Sequence, residues 1–355
     1  MPKAKFLHSR IEGIVGVHGS IQKCIDDEVD NYGGNLEQIK RIKETIGLNV
    51  RFVADENTTA LDLCTSAAKE LLSLAERESA SIDALIFVTQ TPDHFQPSNA
   101  SIAHKYLKLK KDCAAFDVNL GCSGYVYGLW LAAMMVETQS CKTVLLVAGD
   151  TMSKCVNPRD RSVAPLFGDA GSATLIKYSD EKRPSWYSLY SDGKGSEHIL
   201  IPAGGFRQRA DKKAFAEEVD SEGNSRSPAD LFINGAEVFN FSIKEEPPSV
   251  KSILEYAGLS GDSIDAFVFH QANRYIVKNV ARRLNIPLEK LPLETVEKFG
   301  NQSCASIPFT LCHCLSETLR SAKLQVLLSG FGSGLSWASS VLMLEQLKVC
   351  RIKQF

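Results

Sequence analysis

Short apolar runs alternate along the chain with longer segments in which apolar residues recur at helical spacing. The runs rich in Val, Ile, Leu and Ala predict strands at 84–89, 114–119, 143–148, 173–177, 266–269, 325–329 and 340–345. The helical spacing predicts helices at 59–76, 98–107, 122–138, 236–243, 248–257, 274–284 and 306–321. Because the two kinds of element alternate and several strands are apolar throughout, the pattern predicts an α/β protein whose sheet is covered on both faces.

Two polar stretches interrupt this pattern. Residues 204–228 are charged and rich in Gly, Ser, Asp and Lys, with few large apolar side chains. Long loops in compact domains are commonly functional, so we interpret this stretch as a surface insert that is mobile or acts as a lid. Residues 26–35 form a second, shorter polar loop.

The size and charge of the chain narrow the functional classes. With 355 residues, it is long enough for two domains or for one large domain built from two halves. A net charge of -2 argues against broad nucleic-acid binding. No apolar run reaches the length of a membrane span, and the N-terminus lacks the apolar stretch of a signal peptide. We therefore expect a cytoplasmic protein that has no membrane span and no nucleic-acid partner.

The cysteines are numerous but scattered. The chain has 10 cysteines and no C-x-x-C pair, which favours reduced thiols in a cytoplasm over a disulfide framework. The run Cys312-His313-Cys314 looks like part of a metal site, but on a helix its two cysteines point to different faces. Because no second ligand pair has zinc spacing, we expect no metal.

One cysteine has a distinctive setting. Cys122 follows the apolar run 114–118, lies between Gly121 and Gly124, and precedes a long apolar segment. This pattern predicts a strand, a tight turn and a buried helix, with the thiol in the first turn of the helix. The free N–H groups and the positive end of the helix dipole would stabilise a nucleophilic thiolate there. The alternative is a small apolar residue packed beneath the helix.

Two further polar residues and a glycine-rich turn complement this cysteine. His270 follows the predicted strand 266–269, and polar groups at strand ends in α/β proteins tend to line ligand crevices, although a structural role is the alternative. Asn301 lies just before a helix that Ser303 or Ser306 could cap. A thiolate attacks acyl groups, while an imidazole and a carboxamide can donate hydrogen bonds to a developing oxyanion. The glycine-rich segment 330–337 could add backbone N–H donors.

On these residues the chain resembles β-ketoacyl-acyl-carrier-protein synthase III, within the thiolase-like condensing enzymes. The resemblance covers nearly the whole chain and is carried by 116–124, 157–161 with 167–173, 234–239, 270–273, and 300–308 with 330–337. It implies a thiolase-like, five-layered αβαβα fold built from two similar halves, normally in a homodimer. The halves would be 1–177, which carries the nucleophilic cysteine, and 178–355, which carries the histidine, the asparagine and the polar insert.

The resemblance also implies a mechanism with the triad Cys122, His270 and Asn301. Cys122 would take an acyl group from a thioester primer, and the backbone N–H groups of Cys122 and Ser333 would hold the oxyanion. Malonyl-acyl carrier protein would then lose CO2, with His270 and Asn301 stabilising the enolate that attacks the acyl-cysteine. The product would be 3-oxoacyl-acyl carrier protein, in fatty-acid or specialised acyl biosynthesis. Coenzyme A or phosphopantetheine thioesters would be substrates, and no cofactor would be bound permanently.

Basic residues that follow His270 in the sequence suggest where the acyl carrier protein docks. Arg274, Lys278 and Arg282 recur every four residues and therefore share one helix face. A solvated basic face is the alternative interpretation. Similar enzymes meet an acidic carrier protein with such residues, mainly to steer encounter. Arg161 matches an arginine that contacts the nucleotide side of the substrate in the family.

Several positions depart from the family pattern. The residues that usually clamp the adenine of coenzyme A fall on Arg41 and Thr45, so a carrier-protein thioester is an alternative primer. Where a Phe crossing from the partner subunit often gates the acyl pocket, this chain has Gln96, with Phe95 just before it. Ser333 replaces the middle glycine of the usual turn, which keeps the N–H donor but adds bulk. These departures suggest a specialised enzyme that makes an unusual acyl group.

Other functions were weighed against condensation. A papain-like cysteine hydrolase also uses Cys, His and Asn in this order, but the chain lacks its C-G-S-C-W signature and the cysteine is far from the N-terminus. An acyltransferase of the same fold could move an acyl group to a hydroxyl or amine without condensation. A condensing enzyme that does not decarboxylate would need a catalytic Glu, which the sequence does not place near Cys122. A non-catalytic partner protein is disfavoured by the complete triad.

Overall fold

The computed structural model describes residues 2–32 and 34–355. The strands are β1 (Lys3–Phe6), β2 (Ser9–His18), β3 (Ile21–Cys24), β4 (Val50–Val53), β5 (Ala84–Val88), β6 (Ala114–Val118), β7 (Thr143–Asp150), β8 (Ala170–Tyr178), β9 (Ser185–Ser191), β10 (Ile199–Leu200), β11 (Glu218–Val219), β12 (Ser225–Arg226), β13 (Phe232–Ile233), β14 (Ala266–Phe269), β15 (Lys323–Gly332), β16 (Ser336–Glu345) and β17 (Val349–Gln354). The α-helices are α1 (Leu36–Arg41), α2 (Ala60–Leu74), α3 (Asn99–Tyr106), α4 (Gly124–Glu137), α5 (Gly235–Ala257), α6 (Arg274–Leu284), α7 (Glu294–Phe299) and α8 (Ser306–Ser321). Shorter helical turns cover Ile25–Tyr32, Ile42–Ile46, Ser79–Ser81, Met152–Cys155, Gly193–Gly195, Gly261–Ser263, Leu288–Lys290 and Ser303–Ala305.

Two large sheets organise these elements into similar halves. One has six strands in the order β17-β2-β8-β7-β5-β6, and the other has five in the order β1-β9-β16-β15-β14. In each, a parallel pair (β5 with β7, β14 with β15) is followed by antiparallel neighbours (β8 and β2, β16 and β9). The two sheets therefore share one arrangement of strands, as expected for a fold built from two similar halves.

Helices separate and cover the two sheets. Helices α4 and α8 lie between them, because each contacts strands of both sheets, while α2 covers the outer face of the first sheet and α5 that of the second. The resulting helix, sheet, helix, sheet, helix order confirms the five-layered αβαβα fold. In the part of the chain that the structure describes, no helix is both long and apolar enough to cross a membrane.

The ends of the chain cross between the halves. Strand β1 lies at the edge of the second sheet, against β9, and β17 lies at the edge of the first sheet, against β2. The predicted boundary after residue 177 falls at the end of β8. Each terminal strand belongs to the sheet of the other half, and the division into two halves at this residue stays a prediction.

The predicted elements are present, with two instructive differences. The helices predicted at 236–243 and 248–257 form one continuous helix, α5, which contains Pro247 and Pro248. Pro247 is buried and Pro248 is exposed, and the helix as a whole packs over β9, β15 and β16, so it continues through two residues that usually interrupt a helix. Of the strands in the two large sheets, β1, β2, β9 and β17 were not predicted; glycines in β2 and charged residues in β17 weaken the apolar pattern.

The polar insert 204–228 is attached to a neighbouring loop. Its short ribbon, β11 with β12, carries Arg226, whose Nε lies 3.0 Å from Oδ2 of Asp160. Arg159 forms an ion pair with Glu217 of the insert. The insert therefore contacts the 157–161 loop, and its role as a mobile or lid segment stays a prediction.

Candidate active site

A cavity of about 180 Å³ brings the predicted catalytic residues together. Cys122, His270, Asn301 and Ser333 all line it, although they come from distant parts of the chain. The apolar part of the wall consists of Met152, Leu166, Phe167, Ile199, Leu231, Ile233, Val238, Ile276 and Phe331. Such a wall excludes water and strengthens the electrostatic interactions of the few polar groups that face the cavity.

Cys122 lies on a turn between β6 and α4. The N–H of Gly124 donates to the carbonyl O of Gly121 at 2.7 Å, and α4 begins only at Gly124. The sequence predicted the thiol in the first turn of the helix, but it lies two residues before the helix begins. A Cβ on Gly332 would lie 3.0 Å from Sγ of Cys122, so only glycine permits the close approach of β15.

The electrostatics of Cys122 also differ from the prediction of a stabilised thiolate. The pKa of Cys122 is raised to about 12, mainly by burial and also by the negative charge of Asp150, while a hydrogen bond with Ser303 opposes both effects. Desolvation is the largest of these contributions, and it favours the neutral thiol. In the resting protein Cys122 is a thiol, so it must lose its proton as it attacks.

His270 follows β14 and is held by three contacts. Its backbone N–H donates to the carbonyl O of Ser329 at 2.8 Å. Nδ1 of its ring lies 2.7 Å from Oγ of Ser306, and Phe331 packs edge-on against the ring. Burial lowers the pKa of His270 to about 3. The imidazole is therefore neutral at physiological pH and can act through hydrogen bonds rather than through a positive charge.

Asn301 is fixed by both its backbone and its side chain. Its N–H donates to the carbonyl O of Leu166 at 2.8 Å, and its carbonyl accepts from the N–H of Gly168 at 3.0 Å. Its Oδ1 accepts from the N–H of Ser303 at 2.9 Å. Because this bond occupies the carboxamide oxygen, the Nδ2 group is left to donate hydrogen bonds.

Sequence reasoning missed two kinds of supporting residue. Asp150, at the end of β7, accepts at Oδ1 from Oγ1 of Thr89 at 2.9 Å and from the N–H of Gln90 at 2.7 Å. Ser306, predicted only as a possible cap, contacts His270 instead. The signal was present in the polar residues that follow β5 and β7, where α/β proteins place ligand-binding groups.

The predicted carrier-binding residues lie outside the cavity lining. Arg274 lies 3.4 Å from Glu297 and donates to the carbonyl O of Lys43 at 2.9 Å, so its guanidinium is partly occupied. Lys278 and Arg282 are exposed on α6. Helix α6 begins beside the cavity, since Asn273 and Ile276 line it. Contact of Arg274, Lys278 and Arg282 with a carrier protein stays a prediction.

Arg161 and the adenine-clamp positions also lie away from the triad. Arg161 donates to the carbonyl O of Glu222 in the polar insert. Arg41 and Thr45 line a separate surface cavity near the end of α1. Whether these positions contact a nucleotide stays a prediction.

The predicted gate residues lie on the surface of the described chain. Phe95 is 70% exposed, and its ring centroid lies 5.5 Å from that of Phe206, which is 72% exposed and belongs to the polar insert. Gln96 is exposed beside it. A gating role would act on the pocket of a partner subunit, as in the family, and stays a prediction.

The αβαβα fold, with a cysteine, a neutral histidine and an asparagine on one cavity, defines a thiolase-fold condensing enzyme. Comparisons specify the family. The model for "3-Oxoacyl-[acyl-carrier-protein (ACP)] synthase III" matches residues 116–193, and the model for its C-terminal part matches residues 254–344.

Individual relatives agree over most of the chain. The chain is 35% identical to β-ketoacyl-[acyl-carrier-protein] synthase III of Clostridioides difficile, covering 93% of this chain and 97% of that protein. It is 34% identical to the enzyme of that name from Caldanaerobacter subterraneus, covering 83% and 86%. The crystal structure of 3-oxoacyl-(acyl-carrier protein) synthase from Burkholderia xenovorans LB400 superimposes with a TM-score of 0.93 at 38% identity, over 100% of this chain and 99% of that one. The chain therefore belongs to the 3-oxoacyl-[acyl-carrier-protein] synthase III family.

Proposed function

We propose that this protein catalyses the decarboxylative Claisen condensation of an acyl thioester with malonyl-acyl carrier protein, giving 3-oxoacyl-acyl carrier protein. The observation that carries the proposal is the meeting of Cys122, His270 and Asn301 on one apolar cavity. The reaction would serve fatty-acid biosynthesis or the synthesis of a specialised acyl group.

The first half of the reaction is thioester exchange. Sγ of Cys122 attacks the acyl carbonyl, and the backbone N–H groups of Cys122 and Ser333 stabilise the oxyanion that forms. The tetrahedral intermediate collapses with release of the carrier thiolate, which takes up the proton that Cys122 loses. Removing one oxyanion donor typically raises such a barrier by about 3 kcal/mol, so two preorganised N–H groups can account for much of the acceleration.

The second half forms the carbon–carbon bond. The malonyl group loses CO2, and the electron pair of the broken bond passes to an enolate whose oxygen accepts hydrogen bonds from His270 and Asn301. The enolate carbon attacks the acyl-cysteine, and the Cys122 thiolate leaves and takes up a proton from the solvent. Neutral His270 suits this role, because a donor that keeps its proton stabilises the enolate without quenching it.

The substrates follow from this chemistry. Thioesters of coenzyme A or of phosphopantetheine on a carrier protein would supply the acyl group, with no resident cofactor. The exposed cations Lys278 and Arg282 on α6, beside the cavity, support docking of an acidic acyl carrier protein. Charge reversal at these two residues should raise KM for the malonyl carrier and leave KM for malonyl-pantetheine unchanged. An unaltered carrier KM would contradict the docking site.

The outer face of α4 supports a homodimer. The helix is apolar on all sides, which is typical of buried helices, yet one stripe of it is only half-buried in the single chain. That stripe consists of Tyr127, Trp130, Leu131, Met134 and Met135. The neighbouring strand β6 is at the edge of its sheet and is also incompletely buried. A second copy of the chain would cover both elements, and sedimentation equilibrium would measure the predicted mass of two chains.

A reducing compartment suits the thiols. All 10 cysteines are free, including the nucleophile, so we expect the protein to act in the cytoplasm. Fractionation of cells expressing the native protein would test this expectation, and recovery outside the cytoplasm would contradict it.

The function is tested by weighing the intact protein after incubation with a panel of acyl-coenzyme A and acyl-carrier thioesters. We expect the mass of one acyl group to be added to the wild-type protein and to the control Cys24→Ala, whose thiol lies outside the cavity. Cys122→Ala should remain unlabelled. Equal labelling of Cys122→Ala would contradict the assignment of the nucleophile. The panel also identifies the primer and its carrier.

The competing function is acyl transfer to a hydroxyl or amine without condensation. It shares the acyl-cysteine intermediate, so labelling of Cys122 does not separate the two functions. Adding malonyl carrier does, because only condensation releases CO2 and lengthens the acyl chain. The buried donors of His270 and Asn301 favour condensation, since an enolate needs them and simple transfer does not.

A further inference from the structure

The turn that approaches Cys122 has little intrinsic rigidity. Gly332 cannot carry a side chain, because a Cβ there would lie 2.8 Å from Cβ of Cys122. Gly334 has a φ of +135°, a conformation that residues with side chains rarely adopt. The close approach thus requires flexible glycines on both sides of Ser333, where the proposed oxyanion N–H must be held still.

Ser333 is held in place from two directions. Its Oγ donates to Oε1 of Gln90 at 2.8 Å. Its carbonyl O accepts from Oγ of Ser336 at 2.8 Å. Oγ of Ser336 in turn lies 2.7 Å from Oγ of Ser123, the residue after the nucleophile, and both serines are buried. Fixing the side chain and the carbonyl of Ser333 also fixes the direction of its N–H.

Gln90 is itself anchored to the first half of the molecule. Its N–H donates to Asp150, a carboxylate that is 1% exposed. Its carboxamide lies over Gly121, where a Cβ would be 2.2 Å from Oε1 of Gln90. The hydrogen bond between Gln90 and Ser333 therefore joins a rigid strand end of one half to the glycine turn of the other.

We propose that Gln90 and Ser336 are positioning residues, which hold the N–H of Ser333 toward the acyl carbonyl on Cys122. This inference rests on the proposed function, in which that N–H stabilises the oxyanion. A preorganised donor needs no reorientation during the reaction, and losing one completely costs about 10²–10³ in rate. Loosening the donor, with the N–H still present, should cost about tenfold.

The test separates the two halves of the reaction in Ser333→Ala, Gln90→Leu and the double variant. Rapid quench and intact mass measure single-turnover acylation by acyl-pantetheine, and CO2 release from malonyl-pantetheine without primer measures decarboxylation. Each single variant should slow acylation about tenfold at saturating primer, with unchanged half-saturation and CO2 release. The double variant should be no slower than either single one, because both remove the same hydrogen bond. Ser333→Thr keeps the hydroxyl and should restore most of the rate.

Three outcomes would overturn the inference. The first is acylation at the wild-type rate in both single variants, and the second is additive losses in the double variant. The third is an equal loss of acylation and CO2 release, which would indicate a general structural defect. Failure of the proposed function is distinguishable, because the wild-type protein itself would then accept no acyl group from any thioester.

Discussion

A buried carboxyl group outside the lining of the active-site cavity makes the stability of this protein depend on pH. Glu246 lies in α5 and is 0% exposed. Its Oε2 accepts from Oγ of Ser329 at 2.8 Å, while Oε1 has no hydrogen-bond partner among the residues that the structure describes. Burial raises the pKa of Glu246 to about 8, with the bond from Ser329 opposing the shift. The folded protein therefore holds a proton on Glu246 at neutral pH.

The size and sign of the effect follow from proton linkage. The unfolded chain releases this proton near pH 4.5 and the folded chain near pH 8, so the folded state binds more protons between these values. The contribution of Glu246 to stability is therefore full below pH 4.5 and is lost as the pH rises through this window. At about 1.4 kcal/mol per pKa unit, the loss between about pH 5 and about pH 9 is roughly 4 kcal/mol.

Glu246→Gln should remove this pH dependence, because the amide has no proton to lose. The free energy of unfolding is measured by urea titrations followed by circular dichroism. The difference between the variant and the wild type should shift in favour of the variant by roughly 4 kcal/mol between about pH 5 and about pH 9. A constant penalty from the new amide group would not alter this slope. Glu245→Gln is the matched control, since Glu245 is the adjacent residue and pairs with Lys244 on the surface. Parallel pH profiles for Glu246→Gln and the wild type would refute the protonated state of Glu246.

Three further predictions concern the site and its surroundings. Gly332→Ala should lower acylation of Cys122 at least 100-fold with an unchanged circular dichroism spectrum, because the added methyl would meet Sγ at 3.0 Å; normal acylation would contradict the close approach. Arg51→Met should destabilise the protein by about 3–5 kcal/mol, since it leaves Glu28, whose side chain is only 14% exposed, without its partner. The double variant with Glu28→Met should recover most of the loss in urea unfolding. The rate of condensation should show no inflection near pH 6.5, because the pKa of His270 is lowered to about 3. An inflection there that disappears in a His270→Asn variant would show that the histidine titrates in the usual range and would contradict the prediction.

The residues that meet at the cavity, and that we propose as catalytic, could be singled out from the sequence because their signals are local. Cys122 follows a strand and precedes an apolar helix, His270 follows another strand, and Asn301 precedes a helix. Each junction occupies only a few residues. The resemblance to condensing enzymes added the expectation that the three junctions meet, which no local pattern contains.

The properties that depend on burial and on distant partners could not be predicted. The thiol of Cys122 is protonated because the folded protein desolvates it, although the sequence suggested a thiolate. Ser123 and Ser336 are 213 positions apart, and nothing local indicates that they share a hydrogen bond. Likewise, β1 and β17 lie in the sheet of the opposite half, since short terminal strands carry no signal of the sheet that they join.

The amount of CO2 released for each acyl chain extended offers the most direct test of the proposed condensation. The protein is incubated with an acyl thioester that labels Cys122, malonyl-acyl carrier protein is added, and CO2 and the carrier-bound product are measured together. The wild type should release one CO2 for each 3-oxoacyl chain formed. His270→Ala and Asn301→Ala should still accept the acyl group on Cys122 but release little CO2. Transfer of the acyl group to an acceptor without CO2 release would contradict the proposed function.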